Sequence, residues 1–250
     1  MSKNNSLSIS QNFLTSARTI NRLISKTNLS KNDFVIEIGA GKGHITRSLA
    51  NCCAAVTTYE LDNKLYSVLC GTMPKNVRVI NSDFLKCQLP CREYKVFANI
   101  PFSRTSEIIR KLTQAANPPR QAWLVMEKGA AKRFCGMPND STASRLLKPY
   151  FTTEILYHMQ RTDFHPSPAV DSVLLHITLK TEPDLPLSQK SLYEKFVRLA
   201  ANGIEGKLLT KKQVSTALRL AKLPQIGPSG LMSYVQWLCL FRCWLQFGSR

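Results

Sequence analysis

Acidic residues are scarce in this 250-residue chain: 16 Asp and Glu stand against 34 Lys and Arg, giving a formal charge of +18 and a pI near 9.8. A deficit of that size points to a polyanionic partner, with phosphate contacts supplying salt-sensitive affinity. Long apolar runs are missing too. None follows the N-terminal Met1-Ser2-Lys3-Asn4-Asn5-Ser6, so no secretory signal is expected. The longest apolar tract, Tyr234 to Phe247, is too short to span a bilayer and contains Arg242. These absences favour a cytoplasmic protein with no membrane partner. Eight cysteines are present, but Cys52 and Cys53 are adjacent, and Cys87/Cys91 and Cys239/Cys243 have no His at ligand spacing. The paired-knuckle pattern of a zinc site is therefore lacking, no metal is expected, and the thiols read as small buried hydrophobes. His44, His158, His165 and His176 are scattered, and none is given a catalytic role.

What is present is an alternation of strand and helix patterns. Phe34 to Ile38 reads as a strand, Gly43 to Cys53 as a helix, Ala54 to Leu61 as a strand, Asn63 to Gly71 as a helix and Val77 to Asn81 as a third strand. Tyr94 to Asn99 is the fourth strand and Ala122 to Met126 the fifth, with helices from Thr105 to Ala116 and Lys128 to Phe134. This is the rhythm of a doubly wound parallel α/β sheet. Thr153 to Gln160 and Ser172 to Leu179 read as a further antiparallel pair closing it. A proline-bearing linker from Thr181 to Ser188 then separates a catalytic domain, 1–180, from a small helical domain, 181–250. Residues 186–250 are basic, with ten Lys/Arg against two Asp/Glu.

The tetrapeptide Asn99-Ile100-Pro101-Phe102 at the end of the fourth strand carries the most chemistry. The exocyclic amine of adenine or cytosine is a poor nucleophile because its lone pair is delocalised into the ring. An amide oxygen on Asn99 and the carbonyl of Ile100 can accept both amine hydrogens and favour a more tetrahedral nitrogen. Pro101 pushes Ile100 towards an extended conformation, and Phe102 can stack on the base for about 1–3 kcal/mol. Taken alone, Asn-x-Pro-aromatic is also a common strand-to-turn sequence, so it needs a cofactor site beside it. Glu37-Ile38-Gly39-Ala40-Gly41-Lys42-Gly43 supplies one where an α/β sheet binds nucleotides. His44 stands where a dinucleotide fingerprint requires glycine, so G-x-G-x-G favours a cofactor without a pyrophosphate, such as S-adenosylmethionine. Glu60 ends the second strand, where a carboxylate can accept ribose hydroxyls, and Asp83 with Phe84 follows the third, where they can meet an adenine.

These pieces, together with Gln11-Asn12-Phe13-Leu14 and Phe164-His165-Pro166-Ser167-Pro168-Ala169-Val170, resemble the Erm family of 23S rRNA adenine-N6 methyltransferases over nearly the whole chain. The resemblance implies a Rossmann-like class I S-adenosylmethionine-dependent methyltransferase sheet. It also implies transfer of one or two methyl groups to one adenine of 23S rRNA, in naked or precursor form, by a monomer, with resistance to macrolides, lincosamides and streptogramin B as the consequence. It places Gln11, Asn12 and Leu14 by the cofactor, with Gly39, Gly41 and Gly43 in its loop. Glu60 then falls on the ribose, Asp83 and Phe84 at the adenine, and Asn99 near the methyl group. Phe102 and Phe164 become the aromatics flanking the target base. Arg104, Arg110 and Lys111 after the clamp, and Lys128, Lys132 and Arg133 after the fifth strand, are the candidate phosphate contacts. Two rivals share the fold: the small-subunit rRNA dimethyltransferases, KsgA, and a non-enzymatic RNA-binding or transcription factor. The KsgA clamp usually reads Asn-Leu-Pro-Tyr and its loop Gly-Pro-Gly, whereas this chain has Ile100, Phe102 and Ala40.

Overall fold

The computed structural model describes residues 12–201, 203–227 and 230–248. They form two compact units, one within Met1–Ala131 and Thr153–Leu179, the other within Lys132–Thr152 and Lys180–Arg250.

In the first unit, β1 (Phe13–Leu14) and α1 (Ala17–Ile24) precede β2 (Phe34–Ile38), α2 (His44–Cys52), β3 (Ala55–Glu60), α3 (Asn63–Thr72) and β4 (Val77–Asn81). There follow β5 (Lys95–Asn99), α4 (Thr105–Gln114), β6 (Gln121–Glu127), the start of α5 (Lys128–Cys135), all but the first two residues of β7 (Phe151–His158), β8 (Phe164–His165) and β9 (Ser172–Leu179). Seven strands join in the order β4-β3-β2-β5-β6-β9-β7. The pairs β2/β3, β3/β4, β2/β5 and β5/β6 are parallel, and β9 returns antiparallel to β6. The chain runs outward from β2 to β4 and then crosses back to lay β5 on the other side of β2. That reversal opens a crevice at the carboxyl ends of β2 and β5, where ligands of such sheets bind.

Local sequence explains these elements. Val35, Ile36, Glu37 and Ile38 are all buried, as befits a central parallel strand covered on both faces. Asp62 caps α3 by accepting from the Lys64 and Leu65 N–H groups at 2.8 and 3.0 Å, and Ser16 caps α1 at Thr19. Leu23, Leu49, Phe97 and Leu174 meet in the core with no measurable exposure. A two-residue antiparallel pair sets Leu14 opposite Phe164 and Phe13 opposite His165.

The second unit holds the rest of α5, α6 (Thr142–Leu147), α7 (Lys190–Ala200), α8 (Lys211–Leu220) and α9 (Tyr234–Phe247). It takes in residues 132–152, which the sequence expectation placed with the sheet. The reason is packing: Tyr193 Oη donates to the Arg145 carbonyl at 3.1 Å, and the Arg145 guanidinium lies 4.0 Å from the centre of the Trp237 ring. Tyr193, Phe196, Trp237, Phe241 and Trp244 form an aromatic core, so the Trp- and Cys-bearing end is structural. Cys53 and Cys243 are buried as expected, but Cys70 and Cys91 are exposed. No described helix is long and apolar enough to cross a membrane, and no described group of three His, Cys, Asp or Glu could hold a metal.

Candidate active site

Four strand ends build one cleft in the first unit. Gly39 and Gly41 follow β2, Glu60 ends β3, Asp83 and Phe84 follow β4, and Asn99 to Arg104 leave β5; all of them line it. Register enforces the meeting: Ile38 pairs with Tyr59 and with Ala98, and Glu60 with Asn81.

Glu60 does two jobs at the base of this cleft. It is buried at 3 % exposure, and its Oε2 accepts the Gly41 N–H at 2.7 Å while Oε1 accepts the Asp62 N–H at 2.8 Å. The carboxylate therefore shapes the glycine loop and the α3 cap, and keeps lone pairs for a ligand. Gly41 has φ +55°, and a Cβ there would stand 2.9 Å from the Phe13 ring, so only glycine admits both the turn and the ring. Gly43 lies outside the cleft lining. It opens α2 at φ +77°, where a Cβ would strike Leu69 and Met73, so its role is helix packing.

The clamp continues directly from β5. Ile100 donates its N–H to the Val125 carbonyl at 3.1 Å, extending β5 by one residue, and Pro101 sits at φ −60°, ψ 126°. Asn99 Nδ2 donates to the Asn12 carbonyl at 2.7 Å. That bond fixes the amide's orientation and leaves Oδ1 without a donor among the described residues, as an acceptor for a substrate amine.

The structure also redistributes several expected site residues. Leu14 and Phe164 do not line the cleft; both are buried in the core at 3 % and 4 % exposure. The reason is strand alternation. Paired residues share a face, so Leu14 and Phe164 turn inward together, and Phe13 on the opposite face reaches the cleft. Phe13, Tyr59, Leu61 and Ser82 are lining residues that sequence reasoning did not assign. Phe13 had a signal in its place between Asn12 and Leu14; Tyr59 had none beyond preceding Glu60. Gln11 lies outside the described residues. Among the basic residues, Lys111 donates to the carbonyls of Leu85 and Cys87 and sits 5.4 Å from the Phe84 ring centre, which commits its ammonium to the fold. Arg104 is paired with Asp83 and Glu107, and Lys128 lies 3.8 Å from Asp171. Arg110 is exposed on α4; Lys132 and Arg133 are exposed in the second unit.

Beneath the glycine loop, Glu37 is buried at 1 % exposure. Burial pushes its carboxyl up to about 8; the Thr46 hydroxyl, donating at 2.6 Å, opposes this, and the charge of Glu60 adds to it. Folding thus retains a proton that the unfolded chain loses above the ordinary carboxyl value of 4.5, so stability should fall as pH rises from there to about 8. Glu37→Gln keeps an acceptor for Thr46 and cannot ionise. Chemical denaturation of both proteins at several pH values is expected to show the parent losing stability relative to the variant, on the order of a few kcal/mol across the interval. Parallel pH profiles would show that Glu37 is ionised in the folded state.

A crevice at the sheet's switch point thus gathers a glycine loop held by a strand-end carboxylate and an Asn-Ile-Pro-Phe segment along one lining. The family of ribosomal RNA adenine dimethylases matches residues 2–240. The rRNA adenine N-6-methyltransferase of Enterococcus faecalis is 34 % identical over 99 % of both chains, and that of Limosilactobacillus reuteri 36 % identical over 96 % of both. Ribosomal RNA small subunit methyltransferase A of Streptococcus agalactiae is 31 % identical over 77 % of this chain and 71 % of its own. The crystal structure of 23S rRNA methyltransferase ErmE superposes with a TM-score of 0.80 at 29 % identity, covering 94 % of this chain and 100 % of that one. The chain belongs to the ribosomal RNA adenine dimethylase family. It is an enzyme, and S-adenosylmethionine is its methyl donor. The residues present fit that donor: two carboxylates and an amide converge on one sheet edge, and the space a Cβ would enter at Gly39 is open.

Proposed function

We propose that this enzyme methylates N6 of one adenine in 23S rRNA, once or twice, and thereby confers resistance to macrolides, lincosamides and streptogramin B. The observation that carries the reading is the Asn99 amide, pinned by the Asn12 carbonyl so that Oδ1 remains an acceptor beside Ile100 and Phe102 in the Glu60/Asp83 cleft. Bound S-adenosylmethionine supplies an electrophilic methyl group. Glu60 holds the ribose end, Asp83 and Phe84 the adenine end, and Gly39 and Gly41 let the backbone approach between them. Asn99 Oδ1 and the Ile100 carbonyl hold the target amine while Phe102 stacks on its ring. No side chain is assigned as a base, because an amine held in line can release its proton to water after transfer, and positioning supplies most of the rate.

Two observations support the large subunit as target: the 23S rRNA methyltransferase ErmE is matched over 100 % of its chain at 29 % identity, whereas the small-subunit relative is matched over 71 % of its own. Incubation with radiolabelled S-adenosylmethionine and separate, protein-free 16S and 23S rRNA is expected to label 23S. Label confined to 16S would move the reading to small-subunit dimethylation, and binding without label to a non-catalytic RNA factor. Assembled large subunits are expected to be poorer acceptors, consistent with a monomer working on naked or precursor rRNA in the cytoplasm.

Arg110, Lys132 and Arg133 remain the phosphate contacts favoured by their exposure. Given the charge of +18, affinity for rRNA should fall about a thousandfold between about 50 and 200 mM salt. Filter binding across that range checks it, and a flat response would remove the electrostatic case.

A further inference from the structure

Arg104 ties the two halves of the cleft together. Its backbone N–H donates to the Pro101 carbonyl at 3.0 Å, which fixes it to the turn of the clamp. Its side chain reaches the segment after β4, with Nη1 3.3 Å from Asp83 Oδ2, while Nη2 lies 3.2 Å from Glu107 Oε2 on the helix that Arg104 itself opens, α4. Asp83 Oδ1 meanwhile accepts the Leu85 N–H at 2.9 Å, so the carboxylate is held from both sides. A guanidinium can bridge two carboxylates in a fixed fork, whereas an ammonium presents a single point of charge.

We propose that Arg104 is a positioning residue that couples occupancy of the Asp83 subsite to closure of the Asn99–Phe102 clamp, so that cofactor and target RNA strengthen each other's binding. The inference rests on the function proposed above. A ligand donor at Asp83 shares the carboxylate with Arg104, and any adjustment of that pair is transmitted through the side chain to the Pro101–Arg104 turn. Coupling of this kind is reciprocal, so RNA must raise cofactor affinity by the same factor that cofactor raises RNA affinity. The side chains of Arg104 and Asp83 are 38 % and 19 % exposed, so solvent screens the pair in part and the coupling should be several-fold rather than hundreds-fold. The same arrangement separates this role from a phosphate contact, which would act on RNA alone.

The test measures the affinity of the full chain for a 23S rRNA fragment that the parent methylates, with and without saturating S-adenosylhomocysteine. For the parent, the cofactor product is expected to tighten RNA binding about 5- to 10-fold. Arg104→Gln should reduce that factor to within about twofold of unity, with an unchanged melting temperature, and Arg104→Lys should restore part of it. Glu107→Gln, which keeps the Asp83 pair and removes its second anchor, should give an intermediate factor and replaces Arg104→Gln if that variant does not fold. Coupling at the parent level in Arg104→Gln overturns the proposal. So does an absence of coupling in the parent, or an RNA affinity that falls equally with and without S-adenosylhomocysteine, which would mark a phosphate contact only. The parent's own labelling of the rRNA keeps the two readings apart: failure of coupling in an active parent removes the Arg104 role alone, whereas a parent that methylates no rRNA removes both.

Discussion

Asn99→Ala is expected to slow methyl transfer by about a hundredfold or more, the scale seen when one preorganised polar group is removed from a reacting centre. Binding of S-adenosylhomocysteine should stay within about tenfold of the parent, because Glu60, Asp83 and the glycine loop remain. The deletion removes the acceptor that makes the target nitrogen more tetrahedral. It also frees the Asn12 carbonyl, which now receives Asn99 Nδ2 at 2.7 Å. Asn99→Asp separates these effects. It retains an acceptor for the substrate but sets a carboxylate oxygen against the Asn12 carbonyl, so it should recover little of the rate while disturbing residues 12–14. Single-turnover methylation with calorimetric titration of S-adenosylhomocysteine measures both quantities. Normal turnover by Asn99→Ala would refute the clamp.

The clamp and the donor rim were legible in the sequence because their signals are local. Proline sets its own backbone and restrains Ile100, and the glycine spacing and strand-end carboxylates follow from topology. The strands at Phe34–Ile38, Val77–Asn81 and Ser172–Leu179 appear at the predicted residues. Less was legible where the determinant is a distant partner. The helix Thr142–Leu147 spans only six residues, and its capping box uses Ser144 in place of the Glu or Gln that marks such a start. The pairing of Phe13–Leu14 with Phe164–His165 is too short to show alternation, yet it decides which aromatic faces the cleft. Lys111 and Arg104 look alike in sequence as basic residues after a clamp; only the fold shows one bonded to two carbonyls and the other bridging two carboxylates.

Glu60→Gln is the second large effect expected, because one side chain supports both the ligand and the loop that receives it. In the parent, each carboxylate oxygen accepts a backbone N–H, from Gly41 at 2.7 Å and Asp62 at 2.8 Å. Glutamine has one acceptor oxygen, so its amide nitrogen must face one of those N–H groups and leave it unsatisfied at a buried position, a loss of about 1–3 kcal/mol. The charge that favours ribose hydroxyls as donors disappears as well. S-adenosylhomocysteine affinity is therefore expected to fall about a hundredfold, with a lower melting temperature. Glu37 gives an internal control. The charge of Glu60 is one of the causes raising its carboxyl, so removing that charge should move Glu37 back towards the ordinary value and shift the decline in stability to lower pH. Calorimetry and denaturation at several pH values separate the contributions. Cofactor affinity within about threefold of the parent would show that Glu60 holds only the loop, and would transfer recognition of the ribose to another group in the cleft.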